Sequence, residues 1–386
     1  MQLGTKTAVG ISVADHVIEI VELAGGAKPS IRARNRITLD VGVVVGGAIR
    51  DEKKLAEAFG KLFAEAQPVP ITRRQVVFGV PEPATYFHIF NAQKISEDFI
   101  AHEVARNIPL PTEDVVWGYR VFAQSKDASR VVVAASSRTL IESWQTFFSA
   151  QGIAVDVFDI ELFAIFRNLF KEFPKEPVLV VDVGGETTVI SIFDAAGLVY
   201  TRSIRVAGEY LTREIAAALK LSRDDAEAKK IAMGLEDREH PLFFALIKGL
   251  EMITREMRAA QEHFARATGG RIAEIVLAGG SSRMPGLGAY IEANFGVPVV
   301  IASPTSDIEA VGYALRSLEA RWDATDPKII LERKKQPWHL SKPSLHWSMP
   351  RPVQRAGKSL ILLLIAFFAS LALLLVLMYF RYVAEG

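Results

Sequence analysis

The sequence predicts a two-lobed α/β protein that carries a small inserted α+β domain, a proline-rich linker and one apolar helix at its carboxyl end. Three observations predict it. The chain has 386 residues and is 50% hydrophobic, too much apolar material for one small core. Its two halves open alike, each with a strand, a turn and a returning strand. Beyond Asp326 the periodic pattern gives way to scattered prolines and then to an uncharged apolar run, Leu360 to Phe380.

Taken in order, the runs AVGISV and HVIEIVEL between Thr7 and Leu23 break at Ala14-Asp15-His16 and read as a hairpin. Lys53 to Ala66 places Leu55, Phe59, Leu62 and Phe63 on one helical face. A strand at Gln75 to Val80 stops at Pro81 and Pro83. An inserted segment follows, with a strand at Tyr86 to Phe90, an amphipathic helix carrying Ile100, Val104 and Ile108, and strands at Val116 to Phe122 and Val131 to Ala135. The helix Thr139 to Ala150 closes it. The second half opens on Val178 to Asp182, a β-branched run of the kind buried on both faces, with a hairpin partner at Thr188 to Asp194. Helices are predicted at Leu211 to Leu219, Arg223 to Met233, Leu242 to Ala267 and within Met284 to Phe295, with a buried strand at Ile272 to Ala278. The resulting division is a first lobe over 1–80 and 154–175, an insert over 81–153, a second lobe over 176–325, a linker over 326–358 and an apolar helix over 359–380.

Composition excludes several functions. A net charge of +1 gives no bulk attraction for nucleic acid, and the bases are not interleaved with aromatics on any regular element. The absence of cysteine removes disulfides, thiolate metal sites and thiol nucleophiles, so metal chemistry here needs carboxylates. The amino end lacks the basic and apolar regions of a secretory signal. At the other end, Leu360 to Phe380 is about 21 residues long, enough at ~1.5 Å per residue to span a ~30 Å hydrocarbon layer. Lys342, Arg351, Arg355 and Lys358 precede that run and only Arg381 follows it, which places the body on the cytoplasmic side of an inner membrane and the carboxyl end outside it.

The chemistry-bearing residues lie in short clusters. In VVDVGGETT, Asp182 ends a buried strand and Gly184-Gly185 turn the chain before Thr187 and Thr188. Backbone amides at such a turn approach phosphate oxygens closely and Asp182 can hold a hydrated Mg²⁺; an ordinary hairpin is the alternative. In IVLAGGSSRMPGL, Gly279, Gly280 and Ser281 follow another buried strand, which allows close approach to a base or sugar, or simply makes a tight strand-to-helix connection. Between them lie Gly208 and the pair Glu227 and Lys230, spaced to grip ribose hydroxyls or to form a surface ion pair.

In order and spacing these clusters resemble the actin/Hsp70-type ATPase superfamily and, within it, the PilM family of type IV pilus assembly proteins, with FtsA and GspL as relatives. Asp182 to Thr188 looks like the second phosphate loop, DIELFA at Asp159 to Ala164 like the first connecting helix, Leu277 to Gly286 like the adenosine motif and DIEAVGYAL at Asp307 to Leu315 like the second connecting helix. The phrases AHEVARNIPLP and AASSRTLIESWQTFFSAQGIAVDVFDIE point to the PilM family in particular, and the insert resembles its 1C (SHS2-type) domain. The resemblance implies a scaffold that receives an extended peptide of a PilN-like inner-membrane partner on the insert, with Ile100, Val104, Ile108, Pro109 and Leu110 as candidate docking residues. It also implies contacts with other pilus or secretion platform proteins; the alternative within the fold is an FtsA-like membrane-tethered filament, built by self-association. A sugar kinase or phosphatase of the same fold is the rival from another class.

One departure bears on the nucleotide. Where the family's first phosphate loop carries an acid, a glycine and a base, this sequence has Ser12, Ala14 and Glu19. Ser12 brings no metal-facing charge, Ala14 adds a Cβ and Glu19 repels phosphate. The expectation is weak ATP and Mg²⁺ binding at most, and no hydrolysis. Pro337-Trp338, ahead of the apolar run, is similar to the cytoplasmic tail of the PilN-type partner; a basic linker meeting anionic headgroups of the lipid bilayer is the plainer reading.

Overall fold

A computed structural model of the chain describes residues 6–26, 28–123, 128–302, 308–319, 321–322 and 326–329. The first lobe is built on β1 (Thr7–Ala14), β2 (Val17–Ala24) and β3 (Ser30–Thr38), a small ribbon of β4 (Val44–Val45) and β5 (Ala48–Ile49), the helix α1 (Glu52–Ala64) and β6 (Gln75–Val80). Asp51 caps α1 by accepting from the Lys54 amide, and the helix buries Leu55, Phe59, Leu62 and Phe63, the face its spacing predicts.

The inserted segment contains β7 (Tyr86–Ala92), α2 (Glu97–Asn107), β8 (Val115–Ala123) and β9 (Ser129–Ser137). Its sheet has the order β7-β9-β8. Alternation along β9 serves two cores: Val131, Val133 and Ala135 pack under α2, while Val132 and Ala134 join the core of the first lobe. The helix α3 (Arg138–Ala150) that ends the segment sends Ile141, Trp144, Phe147 and Phe148 into that same first-lobe core, where Trp144 Nε1 donates to the Gly47 carbonyl at 2.9 Å. The lobe finishes with β10 (Ala154–Ile160) and α4 (Glu161–Leu169).

The second lobe comprises β11 (Val178–Val183), β12 (Thr188–Asp194), β13 (Gly197–Ile204), α5 (Gly208–Leu219), α6 (Arg223–Met233), α7 (Pro241–Thr268), β14 (Glu274–Ala278), α8 (Leu287–Phe295) and β15 (Val299–Ile301), and α9 (Ile308–Leu318) returns to the first lobe. The two large sheets run β10-β6-β1-β2-β3 and β13-β12-β11-β14-β15. Read from the central strand outward they are the same: an antiparallel meander on one side, two parallel strands on the other. The similar openings of the two halves therefore reflect one sheet topology used twice.

Helices α4 and α9 cross between the lobes. A Cβ on Gly312 would lie 1.9 Å from the Ala164 carbonyl, so glycine sets the closeness of that crossing. Phe166 of α4 stacks on Phe193 of β12 with centroids 4.2 Å apart, which continues the first-lobe core onto the second sheet.

One expectation changes. Residues 326–329, assigned to the linker, are packed on the body: Ile329 donates from its amide to the Phe158 carbonyl, and the Asp326 carbonyl accepts from Arg120 Nε and Arg316 Nη2. Buried arginines hold this segment, so proline content alone misplaced the boundary. Among the described residues no helix is long and apolar enough to cross a membrane, and the run Leu360 to Phe380 lies outside them, as do Pro337 and Trp338.

Candidate functional site

The sheets meet at a cleft of about 730 Å³, within the range of small-molecule sites. It is lined from the first lobe by Ser12, Ala14 and Glu19, and from the second by Asp182, Gly184, Gly185, Thr187, Gly208, Glu227, Lys230, Gly279, Gly280 and Ser281. Residues scattered over most of the chain thus meet at one place. His16 Nε2 and Glu186 Oε1, on the two equivalent hairpin turns, approach to 3.0 Å across its mouth.

The second-lobe wall is tightly connected. Gly184 donates to the Thr187 carbonyl at 3.0 Å, and the first amides of α5, from Gly208 and Glu209, donate to the carbonyls of Gly184 and Gly185 at 3.0 and 2.8 Å. Gly279 adopts φ +83°, and a Cβ there would lie 2.3 Å from Asp182 Oδ1, so this turn requires glycine beside that carboxylate. Lys230 is buried, donating to the Gly208 carbonyl at 3.0 Å and to Thr212 Oγ1 at 2.9 Å and pairing with Glu227 at 2.7 Å. The surface ion pair open at the sequence level is therefore a buried anchor that joins α6 to the start of α5. Thr188 corrects another expectation: it is fully buried and donates to the Val206 carbonyl at 2.6 Å, which turns its hydroxyl away from the cleft.

The first-lobe wall is occupied by its own side chains. Ser12 Oγ donates to Glu309 Oε2 at 2.7 Å, and the buried Glu19 pairs with Arg36 at 2.9 Å. At the cleft floor Glu161, Asp182 and Glu309 bring carboxylate oxygens within 4.8 Å of one another. Each ionised pair at that distance repels by about 3 kcal/mol at an effective dielectric near 20. Burial first, then Glu309, Asp182, Glu82 and Glu19, pushes the Glu161 carboxyl well above the usual range; burial, then Glu309 and Glu82, does the same to Asp182. Burial raises Glu309 against the opposing pull of its Ser12 hydrogen bond and of Arg36. Glu161 and Glu309 were not singled out from the sequence. Their signal was the tripeptide Asp-Ile-Glu, which stands at 159–161 and again at 307–309.

Among the docking candidates, Ile100, Val104 and Ile108 are corrected. All three are buried against Val115, Trp117, Val131, Val133 and Ala135 and form the core of the insert, so none of them is available to a partner. Leu110 is half-buried at the edge of that core, and Pro109 is exposed. What the insert does expose is Phe99, 40% accessible, edge-on to Phe90 of the edge strand β7 at a centroid distance of 5.9 Å.

The carboxylates and the glycine turns suit the Mg²⁺ and the base and sugar of a nucleotide, whereas Ser12 and Glu19 offer a phosphate group no positive charge. A cleft between two topologically equivalent five-stranded sheets, crossed beneath by α4 and α9, places the chain in the class of actin-like ATPase folds. The chain belongs to the family of type IV pilus assembly protein PilM, whose model matches residues 10–321. It is similar in structure to a chain of a "PilM-PilN type IV pilus biogenesis complex", with a TM-score of 0.71 and 23% identity over 81% of this chain and 98% of that one. It also resembles MreB 5 of Spiroplasma citri bound to AMPPNP, with a TM-score of 0.53 and 13% identity over 83% of this chain and 98% of that one. In sequence it is 26% identical over 193 residues to the cell division protein FtsA of Bacillus subtilis (strain 168), covering 44% of this chain and 43% of that protein. FtsA of Pseudomonas aeruginosa is 38% identical over 81 residues, 21% of this chain and 19% of that protein. The chain thus spans less than half the length of these curated relatives.

Proposed function

We propose that this protein is a membrane-anchored scaffold on the cytoplasmic side of a type IV pilus assembly platform, and that an extended segment of a PilN-like inner-membrane protein docks on its insert. Membership of the PilM family over residues 10–321 carries the reading. The insert, of SHS2 type in this reading, supports it through β7, whose outer edge pairs with no other strand among the described residues, beside the exposed ring of Phe99. Strand addition there gains backbone hydrogen bonds and one apolar anchor. The run 360–380 is the anchor in the membrane. Nucleotide, where it binds, is a structural ligand, because the first phosphate loop is engaged with Glu309 and Arg36.

Fluorescence anisotropy of a labelled amino-terminal PilN-type peptide tests the docking. Saturable binding that Phe99→Glu weakens at least about tenfold, and that Val121→Glu on the opposite edge strand leaves unchanged, is expected. Absence of binding, or equal effects of both variants, overturns it. Trp338→Ala in the full chain distinguishes a vacant docking edge from one shielded by the linker, since only in the second case does the peptide bind more tightly.

A further inference from the structure

Arg130 stands at the start of β9 in the insert, and its side chain reaches the second lobe. Its Nη1 and Nη2 donate to the two carboxylate oxygens of Asp194, the last residue of β12, at 2.9 Å each. Nη1 also lies 3.5 Å from the carbonyls of Gly197 and Leu198, and Arg130 is only 2% accessible. A guanidinium and a carboxylate that meet in this bidentate way fix direction as well as distance. A second contact lies beside the first. Gly197 adopts φ +108°, and a Cβ there would stand 3.0 Å from the ring of Phe122 on β8, so glycine admits that ring to the β12–β13 turn. The insert is itself fastened to the first lobe, through Val132 and Ala134 of β9 and through α3. It therefore reaches from the first-lobe core to the end of β12 remote from the glycine turn of the cleft, about 20 Å along that seven-residue strand.

We propose that Arg130 and Asp194 form a latch, and that the insert is a brace which sets the angle between the two lobes. Asp194 moves with the second sheet and Arg130 with the first-lobe core, so a change in lobe angle either strains the insert or parts the pair. A bidentate pair tolerates little rotation, so the latch has a closed state and an open one. The other contact between hairpins of the two lobes, His16 with Glu186 at the cleft mouth, is exposed, and exposed pairs contribute little. One consequence rests on the scaffold reading: a protein held by the insert acts on the angle of the cleft through Arg130.

The test uses the full chain in detergent, free of nucleotide. The sequence contains no cysteine, so nitroxide labels attach only at the exposed positions Lys53→Cys on α1, Arg106→Cys on α2 and Glu262→Cys on α7, introduced in pairs. Double electron–electron resonance then reads the distances among first lobe, insert and second lobe. Arg130→Met keeps an apolar stem and removes the charge. It should broaden the distributions from 262 to 53 and to 106 at least about twofold, because relative motion is the default once a fixing contact is lost. The distribution between 53 and 106 should stay as it is. Asp194→Asn keeps the Oδ1 that accepts from the Ala196 amide, so the turn survives, and should act in the same direction; it carries the comparison if Arg130→Met fails to fold. Lys248→Met, which breaks a surface pair with Glu214 inside the second lobe, should change nothing. Unchanged distributions in the latch variants overturn the proposal and mean that the apolar packing of Phe193 and Leu198 sets the angle. Broadening between 53 and 106 overturns it as well, since the insert then comes away from the first lobe instead of bracing it. Neither partner nor nucleotide enters the measurement, so its outcome is separable from that of the scaffold reading.

Discussion

Asp326 offers a perturbation whose consequence can be worked out from the structure. Its carboxylate pairs with the buried Arg167 guanidinium, Arg167 and Arg316 both pair with the buried Asp159, and the Asp326 carbonyl accepts from Arg120 Nε at 3.1 Å and Arg316 Nη2 at 3.0 Å. Two arginines thus balance two aspartates in a site closed to water. Asp326→Ala leaves two buried cations facing one anion, and removing one partner of a buried pair costs about 3–5 kcal/mol. Asp159 still neutralises part of the charge and the backbone carbonyl survives the substitution, so the low end, about 3 kcal/mol, applies. Asp326→Asn keeps an acceptor for Arg167 and should cost about 2 kcal/mol, in the range of a charge-assisted hydrogen bond. Urea denaturation followed by circular dichroism measures both. Limited proteolysis adds a local readout: because Ile329 bonds Phe158 and the Asp326 carbonyl bonds Arg120 of the insert, cleavage near 326–329 should accelerate in Asp326→Ala. A loss below about 1 kcal/mol with unchanged cleavage would refute the view that this charge cluster fastens residues 326–329 to the body.

The nucleotide reading predicts negligible phosphate release from ATP by the full chain in detergent; robust Mg²⁺-dependent release abolished by Asp182→Ala would contradict it. Ser12→Asp with Glu19→Lys should strengthen ATP binding by at least tenfold in a fluorescent-nucleotide titration, since each unit of charge ~6 Å from phosphate is worth about 3 kcal/mol before screening. The gain should be larger when Glu309→Gln is added, because Ser12 Oγ sits 2.7 Å from Glu309 and a carboxylate placed there is repelled. A reporter fused after Gly386 should behave as external to the cytoplasm, following the basic flank before 360–380; cytoplasmic activity there would reverse the topology.

Strands buried on both faces, and helices with one dry face, were legible in the sequence. Gln75–Val80, Thr188–Asp194 and Arg223–Met233 fall at their predicted bounds. The edge strands were not. β3 alternates Arg32, Arg34 and Arg36 with smaller residues on a largely exposed surface and so lacks an apolar run, and β15, though apolar, is only three residues long with two of them exposed, too short to mark a strand. The same limit explains the docking residues. A helical stripe such as Ile100, Val104 and Ile108 states only that one face is dry, and whether its own sheet or a partner covers it is decided by tertiary packing. Lys230 lines the cleft and Thr188 does not, and what each bonds depends on Gly208 and Val206, whose carbonyls no local pattern aims.

The cleft shows how far one sheet topology used twice can diverge in chemistry. In the antiparallel register of the first hairpin Ser12 faces Glu19 and Ala14 faces Val17; in the second, Asp182 faces Val189 and Val183 faces Thr188, with Gly184 next in line. Ser12 and Asp182 are therefore equivalent positions, as are Ala14 and Gly184, and Glu19 and Val189. One hairpin carries an acid and a glycine turn, whereas the other carries a serine, an alanine and a carboxylate paired with Arg36. Each connecting motif meanwhile carries Asp-Ile-Glu, and both of its glutamates converge on Asp182. The acid of the first hairpin, Glu19, is thus paired with Arg36, while the acids of the two connecting motifs face Asp182. The first hairpin thus engages Glu309 and Arg36 through its own side chains, whereas the second leaves Asp182 Oδ1 without a hydrogen-bond partner among the described residues.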